Sequence, residues 1–397
     1  MAKQIRVFSC VGGAGASAFW TAWLAELETA GFEVAEVSAV SNTTYRSAHG
    51  VWARLVLRFQ MYVGMLFHLL RSGVFAPKGS VLIVTTNPFY APWFLATFAG
   101  RRCCVINLVY DVYPDSLVAA GKLKPHSIVA RLLSALTRAT LARSHATVFL
   151  GAGIQRYFVE TYGSAYKSCV IPVGADCTGF SHTPVAGVPV AGVPGAGVPG
   201  AGVPDARMGT QPMEILYCGN LGMLHETETL VRGLAGLEER ERSQFHFRFC
   251  ASGSGTRDLG GAVEAQGLSR WFTLGGPLDG EQWQATMAQA PIGLVLLKDA
   301  AAYSAVPSKV YSAMAAGQAI LAICPSHSDL ATVVRDHDCG WVIAPGDTAA
   351  LAETLRCIAQ NPASVDEKRA NAYRAARRHF CMPVVAQQWI ELIHSLS

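Results

Sequence analysis

The sequence predicts two doubly wound α/β lobes in tandem, each a parallel sheet between helices, with the two facing a cleft. Three observations carry this. Short β-branched or apolar runs alternate with helical patterns along the chain, and no hairpin signal joins consecutive runs, so the strands need crossover connections and lie parallel. The chain has 397 residues, beyond the roughly 250 to 300 at which single hydrophobic cores stop growing. Between residues 184 and 204, Pro184, Pro189, Pro194, Pro199 and Pro204 recur among Gly, Ala and Val, and the alternation restarts after them. A run with fixed φ angles, missing donors and little side-chain bulk cannot form a helix or a central strand, so it reads as a flexible insertion between lobes.

In the first lobe a strand at Ile5 to Ser9 leads through Gly12-Gly13-Ala14-Gly15 into a helix from Ser17 to Ala30. A strand at Val34 to Val40, a helix at 51 to 72, and strands at Val81 to Thr86 and Cys104 to Val109 follow. A helix at 127 to 143, a strand at Val148 to Leu150, a short helix at 153 to 162 and a strand at Ser168 to Pro172 complete it. In the second lobe a strand at Ile215 to Cys218 precedes a helix through Leu230. Next come Phe245 to Ala251, a helix near Ala262, Phe272 to Leu274, a helix from Gly280 to Ala290, and Gly293 to Leu297. A short helix at Lys309 to Ala316, the strand Ala319 to Ile323, a helix at 328 to 336, the strand Gly340 to Ile343 and a terminal helical region close the chain. The expected organisation is residues 1–180, a linker at 181–212, residues 213–380, and a last helix at 381–397 that packs back on the first lobe.

Half of the residues are hydrophobic (51%) and 15% are charged, which excludes disorder for the bulk of the chain. A net charge of +4 is far from the dense basic face of a nucleic-acid binder. Residues 79 to 100 carry no charge, but Asn87-Pro88 and Pro92 interrupt them, so they read as a buried strand and a turn. Val51 to Phe75 carry Arg54, Arg58, His68 and Arg71 among large apolar residues. Arginine in the centre of hydrocarbon costs about 3 kcal/mol or more, so this is an amphipathic helix lying on a protein core or on a bilayer surface. The start, Met1 to Phe8, lacks a signal-peptide core, and the expected location is the cytoplasm, with a peripheral place on the inner membrane open. The 11 cysteines include no Cys-x-x-Cys, so they are expected to be reduced, small, buried hydrophobes rather than zinc ligands or a disulfide framework.

Several residues have the chemistry of an anion site. The Gly12-Gly13 loop and the turn Gly219-Asn220-Leu221-Gly222 each follow a strand. Glycines admit an anion close to the backbone, and helix starts offer free N–H groups. A plain tight turn is the alternative for the first loop. Ser252-Gly253-Ser254-Gly255 adds further N–H groups or is a simple loop. In Pro307 to Gly317, Ser308 can cap a helix, while Lys309 opposes the helix dipole at a cost of about 0.3 to 1 kcal/mol that a bound diphosphate would reverse. Otherwise Lys309 is a solvated surface lysine. Asp111 and Asp115 follow a first-lobe strand, where a carboxylate binds a sugar hydroxyl, acts as a base or caps the next helix. His225 and Glu226 lack metal-ligand spacing.

With these residues assembled, the chain resembles glycosyltransferase family 4, the retaining GT-B enzymes, in particular the branch acting in bacterial capsule, exopolysaccharide and O-antigen assembly. The likeness rests on the early Gly-Gly loop, Tyr110 to Ser116, Ile171 to Asp176, Gly219 to Gly222 and above all Pro307-Ser308-Lys309 through Gly317. It implies a hexosyltransferase that takes a nucleotide-diphosphate sugar as substrate, with a saccharide or lipid-linked acceptor, no metal, no further cofactor and no nucleic-acid partner. It implies donor binding by Gly12, Gly13, Gly219, Asn220, Gly222, Gly253, Ser304, Ser308, Lys309 and Ser312, and catalytic roles for Asp111, Asp115 and Lys309. Two departures stand out: Ser304 and Ser312 occupy the positions of the family's paired glutamates, and Met223, Leu224 and His225 stand where a basic residue is frequent. A catalytically inactive nucleotide-sugar-binding or partner protein, and a nucleotide-sugar epimerase, are the alternative functions.

Overall fold

The computed structural model describes residues 3–12, 18–41, 44, 50–86, 90–119, 121–180, 212–303 and 308–396. The Gly13 to Ser17 part of the first loop, the proline tract, Ser304 and Pro307 lie outside them. The described residues divide into two compact units. One runs to Gly174 and includes Tyr303 and the segment from Met382 on; the other holds Ala175 to Ala302 and Ser308 to Cys381. The change of unit thus falls a few residues ahead of the expected 180, where Ala175 forms a β-bridge with Cys381 and the Phe180 ring meets Trp283 at 5.5 Å.

In the first unit the order is β1 (Gln4–Gly12), α1 (Ala18–Thr29), β2 (Glu33–Ser41), α2 (Val51–His68), β3 (Val81–Thr85), α3 (Ala91–Phe98) and β4 (Cys104–Val109). Then follow α4 (Asp115–Ala119), α5 (Ile128–Arg143), β5 (Ala146–Phe149), α6 (Ala152–Tyr162) and β6 (Ser168–Val170). The expected helix at 51 to 72 is α-helical only to His68, and Leu69–Val74 continue it as a π turn. The sheet order is β2-β1-β3-β4-β5-β6, with every pairing parallel. β3 is buried at all of its positions, which is why it reads as a continuous apolar run rather than an alternating one. Phe8, Leu82, Val84, Val105 and Leu95 form the core on one face, each burial being worth about 1.5 to 3 kcal/mol. The last helix, introduced below, also packs on this unit.

The second unit contains β7 (Met213–Asn220), α7 (Glu228–Ala235), α8 (Glu239–Arg242), β8 (Phe245–Ser252), α9 (Gly255–Ala265), β9 (Phe272–Gly275), α10 (Gly280–Gln289) and β10 (Ile292–Leu296). It continues with α11 (Lys309–Ala315), β11 (Ala319–Ile323), α12 (Asp329–Asp336), β12 (Gly340–Ile343), α13 (Thr348–Gln360) and α14 (Ala363–Ala375). α15 (Met382–Ser395) ends the chain on the first unit, where Trp389 meets Trp23 at 5.0 Å and Ile393 O accepts from Lys3 Nζ at 3.5 Å. The second sheet is also parallel, in the order β12-β11-β10-β7-β8-β9. Side chains cap several helix starts: Asp279 accepts from Gln282 N, Ser328 from Ala331 N and Asp347 from Ala350 N, each satisfying an N–H that the helix leaves unpaired.

The cysteine expectation is corrected at one pair. Cys177 and Cys381 form a disulfide with their Cα atoms 5.5 Å apart, although 204 positions separate them. The β-bridge between Ala175 and Cys381 brings the two segments side by side, a contact that residue spacing does not reveal. Of the other described cysteines, Cys103, Cys250, Cys324 and Cys339 are buried, as expected, and Cys357 is exposed.

Candidate functional site

In an open parallel sheet, ligands bind beyond the carboxyl ends of the strands where the strand order reverses. In the second unit that point lies between β7 and β10. Two predicted residues, Gly219 and Lys309, converge there. Gly219, next to the last residue of β7, has a φ of +121°, a conformation that L side chains rarely adopt. The Lys309 side chain crosses over it: a Cβ on Gly219 would lie 2.9 Å from Lys309 Cε. Lys309 is therefore partly buried, and the solvated alternative is not realised.

The amine has three neighbours. It sits 5.5 Å above the Tyr217 ring, an attraction between cation and π face, and 3.4 Å from His225 Nε2. Cys218 flanks it, and burial and the adjoining Cys250 push its thiol up to about 12. Burial lowers the Lys309 pKa to about 8. His225 is lowered to about 4, first by burial and then by Lys309, so it is neutral at physiological pH. On its other side the ring is tied to Gly222, whose N–H donates to His225 Nδ1 at 2.9 Å and whose carbonyl oxygen lies 3.1 Å from the same nitrogen.

The turn after β7 does not open a helix, as the sequence reading had it. α7 begins only at Glu228, and its start is already satisfied, because Glu226 accepts from Thr229 N at 2.9 Å. The intervening loop is held by Lys298 N, which follows β10 and donates to Leu224 O at 2.9 Å. Asn220 and Leu221 interlock with the Ser252 to Gly255 turn instead. Leu221 N donates to Ser252 O at 2.6 Å and Gly255 N donates to Leu221 O at 2.9 Å, while Gly253 adopts φ +116° against them.

Ser308 stands at the N-cap of α11 but its hydroxyl makes no capping bond, so the expected cap is absent. Ser312 and Lys309 line a cavity of about 110 Å³ with Cys218, Trp283 and Gln318. Gly12 belongs to the first unit, at the end of β1 opposite Ser41. Gly13 and Ser304 are outside the described residues.

Asp111 and Asp115 behave differently from each other. Thr86, at the end of β3, accepts from the backbone N–H groups of Tyr110 and Asp111 at 3.1 and 2.9 Å, which fixes the loop after β4. The Asp111 carboxyl accepts from Tyr113 OH at 3.4 Å, and burial raises its pKa. It lines a small cavity with Tyr90, Thr137 and Asn107. Asn107 Oδ1, also in that lining, is buried with no hydrogen-bond partner, and a hydroxyl entering the cavity would satisfy it. Asp115 accepts from Tyr157 OH at 2.7 Å and Tyr162 OH at 3.4 Å. Its carboxylate ties α6 to the start of α4, which is the work of an anchor.

Residues that sequence reasoning did not single out include Tyr217, Lys298, Thr86 and Asn107. Lys298 had one legible signal, a place directly after the predicted strand Gly293 to Leu297, and Thr86 was the last residue of the predicted strand Val81 to Thr86. Among the described residues no group of three or more His, Cys, Asp or Glu is arranged to hold a metal ion.

With this geometry in view, the chain is similar to sucrose-phosphate synthase from Thermosynechococcus elongatus, at 15% identity and a TM-score of 0.69 over 99% of each chain. It is also similar to HepE from Anabaena, solved in complex with UDP, at 13% identity and a TM-score of 0.68 over 99% of this chain and 100% of that one. The fold is GT-B. At such identities the likeness of a GT-B chain to these structures shows the fold alone. In sequence, residues 212–361 match the family described as Glycosyl transferases group 1. The probable glycosyltransferase WbjE of Pseudomonas aeruginosa is 27% identical over 300 residues, 70% of this chain, and the match spans 66% of that relative's length. The matched domain, the relative and the GT-B fold together support a glycosyltransferase.

Proposed function

We propose that the protein is a retaining glycosyltransferase that moves a sugar from a nucleotide-diphosphate donor to a saccharide or lipid-linked acceptor in bacterial surface polysaccharide assembly. The observation that carries this reading is the Lys309 amine, drawn over Gly219 at the switch point of the second sheet. His225 links it to Gly222, and the Ser252 to Gly255 turn packs on Asn220 and Leu221 in the same loop. Donor departure breaks the bond between the anomeric carbon and the diphosphate and leaves negative charge on one phosphate oxygen. A cation and aimed N–H groups in a partly dry pocket stabilise that charge more than the ground state. The acceptor hydroxyl attacks from the same face, its oxygen bonds to the anomeric carbon, and its proton passes to the leaving phosphate oxygen. No protein base is then needed, and Asp111 orients the acceptor in the first unit. Asp115, with its two tyrosines, is assigned to holding that loop.

The test is incubation with a panel of nucleotide sugars, with and without saccharide and polyprenyl-linked acceptors. Acceptor-dependent transfer with the anomeric configuration kept is expected. Binding without turnover would favour the inactive binder, and conversion of the donor without acceptor would favour the epimerase.

The lowered Lys309 pKa sets a pH dependence. The amine is charged below about 8, so donor affinity is expected to be level near neutral pH and to weaken as pH rises through 8, approaching about tenfold per unit. Titration calorimetry of a nucleotide sugar across this range checks it, and Lys309→Arg, which does not titrate there, should remove the break. The stability sign is opposite. Between about 8 and 10.5 the unfolded chain holds the proton that the folded chain has released, so in this window the residue makes the unliganded fold more stable as pH rises.

A further inference from the structure

We propose that the outer face of α2, together with the exposed ends of α3 and α5 beside it, docks on the surface of an anionic lipid bilayer. The inference stands on this surface alone and is independent of the donor site.

α2 is apolar on two opposite sides. Leu57, Met61 and Met65, at helical spacing, are buried beneath it, and the stripe continues at Leu69 in the π turn. A helix on a solvated surface carries polar residues on its other side. Here that side carries Trp52 (81% exposed), Leu55, Phe59 (70% exposed), Val63, Leu66 and Phe67. These residues recur at heptad-like spacing along 18 residues, a length of roughly 27 Å at 1.5 Å per residue. α3 packs against the π turn that extends α2, and α5 packs against α3. They add exposed Phe98, Ile128 (86% exposed) and Leu132. Large apolar side chains exposed in this number along packed neighbouring helices mark an interaction site.

Charge selects the occupant. Residues 37 to 159 contain thirteen Lys and Arg against two carboxylates, Asp111 and Asp115, although the whole chain carries only +4. Both carboxylates are partly buried, and Asp115 is engaged by tyrosine hydroxyls. Arg58 and Arg71 are exposed along the apolar face, and Arg101, Arg102 and Arg131 are exposed at the ends of its neighbours. A second copy of this face would set cations against cations. A bilayer containing acidic lipids offers both hydrocarbon for the aromatic rings and phosphate for the guanidinium groups. Among the described residues no helix is long and apolar enough to cross a membrane, and the arginines on α2 suit a helix lying in the interface plane.

The experiment is flotation of the full chain with vesicles of phosphatidylcholine alone and of phosphatidylcholine mixed with phosphatidylglycerol, at low and high salt. The variant is Phe59→Glu combined with Phe67→Glu, two exposed positions that belong to the first unit and not to the unit that carries the donor site. We expect at least about tenfold stronger binding to the mixed vesicles, weakened by salt, and a loss of at least about tenfold in the variant, with its melting temperature and its transfer to a soluble acceptor unchanged. Equal binding to both vesicle types, binding by the variant as tight as by the parent, or no binding to either would overturn the proposal. So would a concentration-dependent dimer that the variant abolishes in a chain that leaves vesicles untouched, which would make this face a contact between copies.

Discussion

Lys309→Ala is expected to lower kcat/KM for transfer by roughly a hundredfold or more, the size of effect seen when one group that stabilises a developing oxyanion is removed. The amine is the positive group whose approach to the switch point is set by the fold itself, since Gly219 leaves room for its stem and Tyr217 lies under it. The loss is not expected to come from unfolding. Burial already disfavours the charged amine, as its pKa of about 8 records, so removing it relieves a desolvation cost and leaves stability level or higher. Steady-state kinetics paired with thermal unfolding separate the two effects. Unchanged turnover would take Lys309 out of the mechanism. A fall in activity matched by collapse of the fold would make it a structural residue.

Gly253→Ala is the second large effect, and it acts on geometry instead of charge. A Cβ at this position would lie 2.5 Å from Asn220 Oδ1 and 2.5 Å from Leu221 O, at a backbone φ of +116°. The Asn220 amide can swing away, but the Leu221 carbonyl is main chain and is fixed by Gly255 N. Forced left-handed backbone and overpacking each cost about 1 to 3 kcal/mol, so a destabilisation of roughly 2 to 5 kcal/mol is expected in urea unfolding. The turns that carry Gly222 and Asn220 must part, and donor binding should weaken by more than the loss of stability explains. Gly261→Ala is the control. A Cβ there meets nothing within 4 Å, and in the interior of α9 alanine is favoured over glycine by up to about 1 kcal/mol.

The parallel fold was legible because its central strands, such as β3, β10 and β11, are buried along their whole length. β11 coincides with the run expected at Ala319 to Ile323 and is buried throughout, since a central parallel strand writes an uninterrupted apolar run into the chain; β12, at the sheet edge and mostly half-buried, also coincides with its expected run at Gly340 to Ile343. Lys309 was legible as an anomaly, a cation in the first turn of a helix. Its surroundings were not. Tyr217 and His225 lie more than eighty positions away, and nothing local distinguishes this histidine from one on a surface loop. The role of Asp115 depended on Tyr157 and Tyr162, residues of a helix whose register against the strand ends is set by packing. The disulfide needed two segments 204 positions apart. α2 was ambiguous for a different reason: with apolar residues on opposite sides, periodicity cannot tell which side meets the sheet, and only the packed structure separates Met61 and Met65 from Phe59 and Phe67.

The central claim is that the second unit receives a diphosphate at Lys309. A crystal structure of the chain with a bound nucleotide sugar tests it most directly. The account predicts a diphosphate oxygen within hydrogen-bond distance of Lys309 Nζ. A diphosphate held elsewhere, with the amine still lying over Tyr217 against His225, would contradict it.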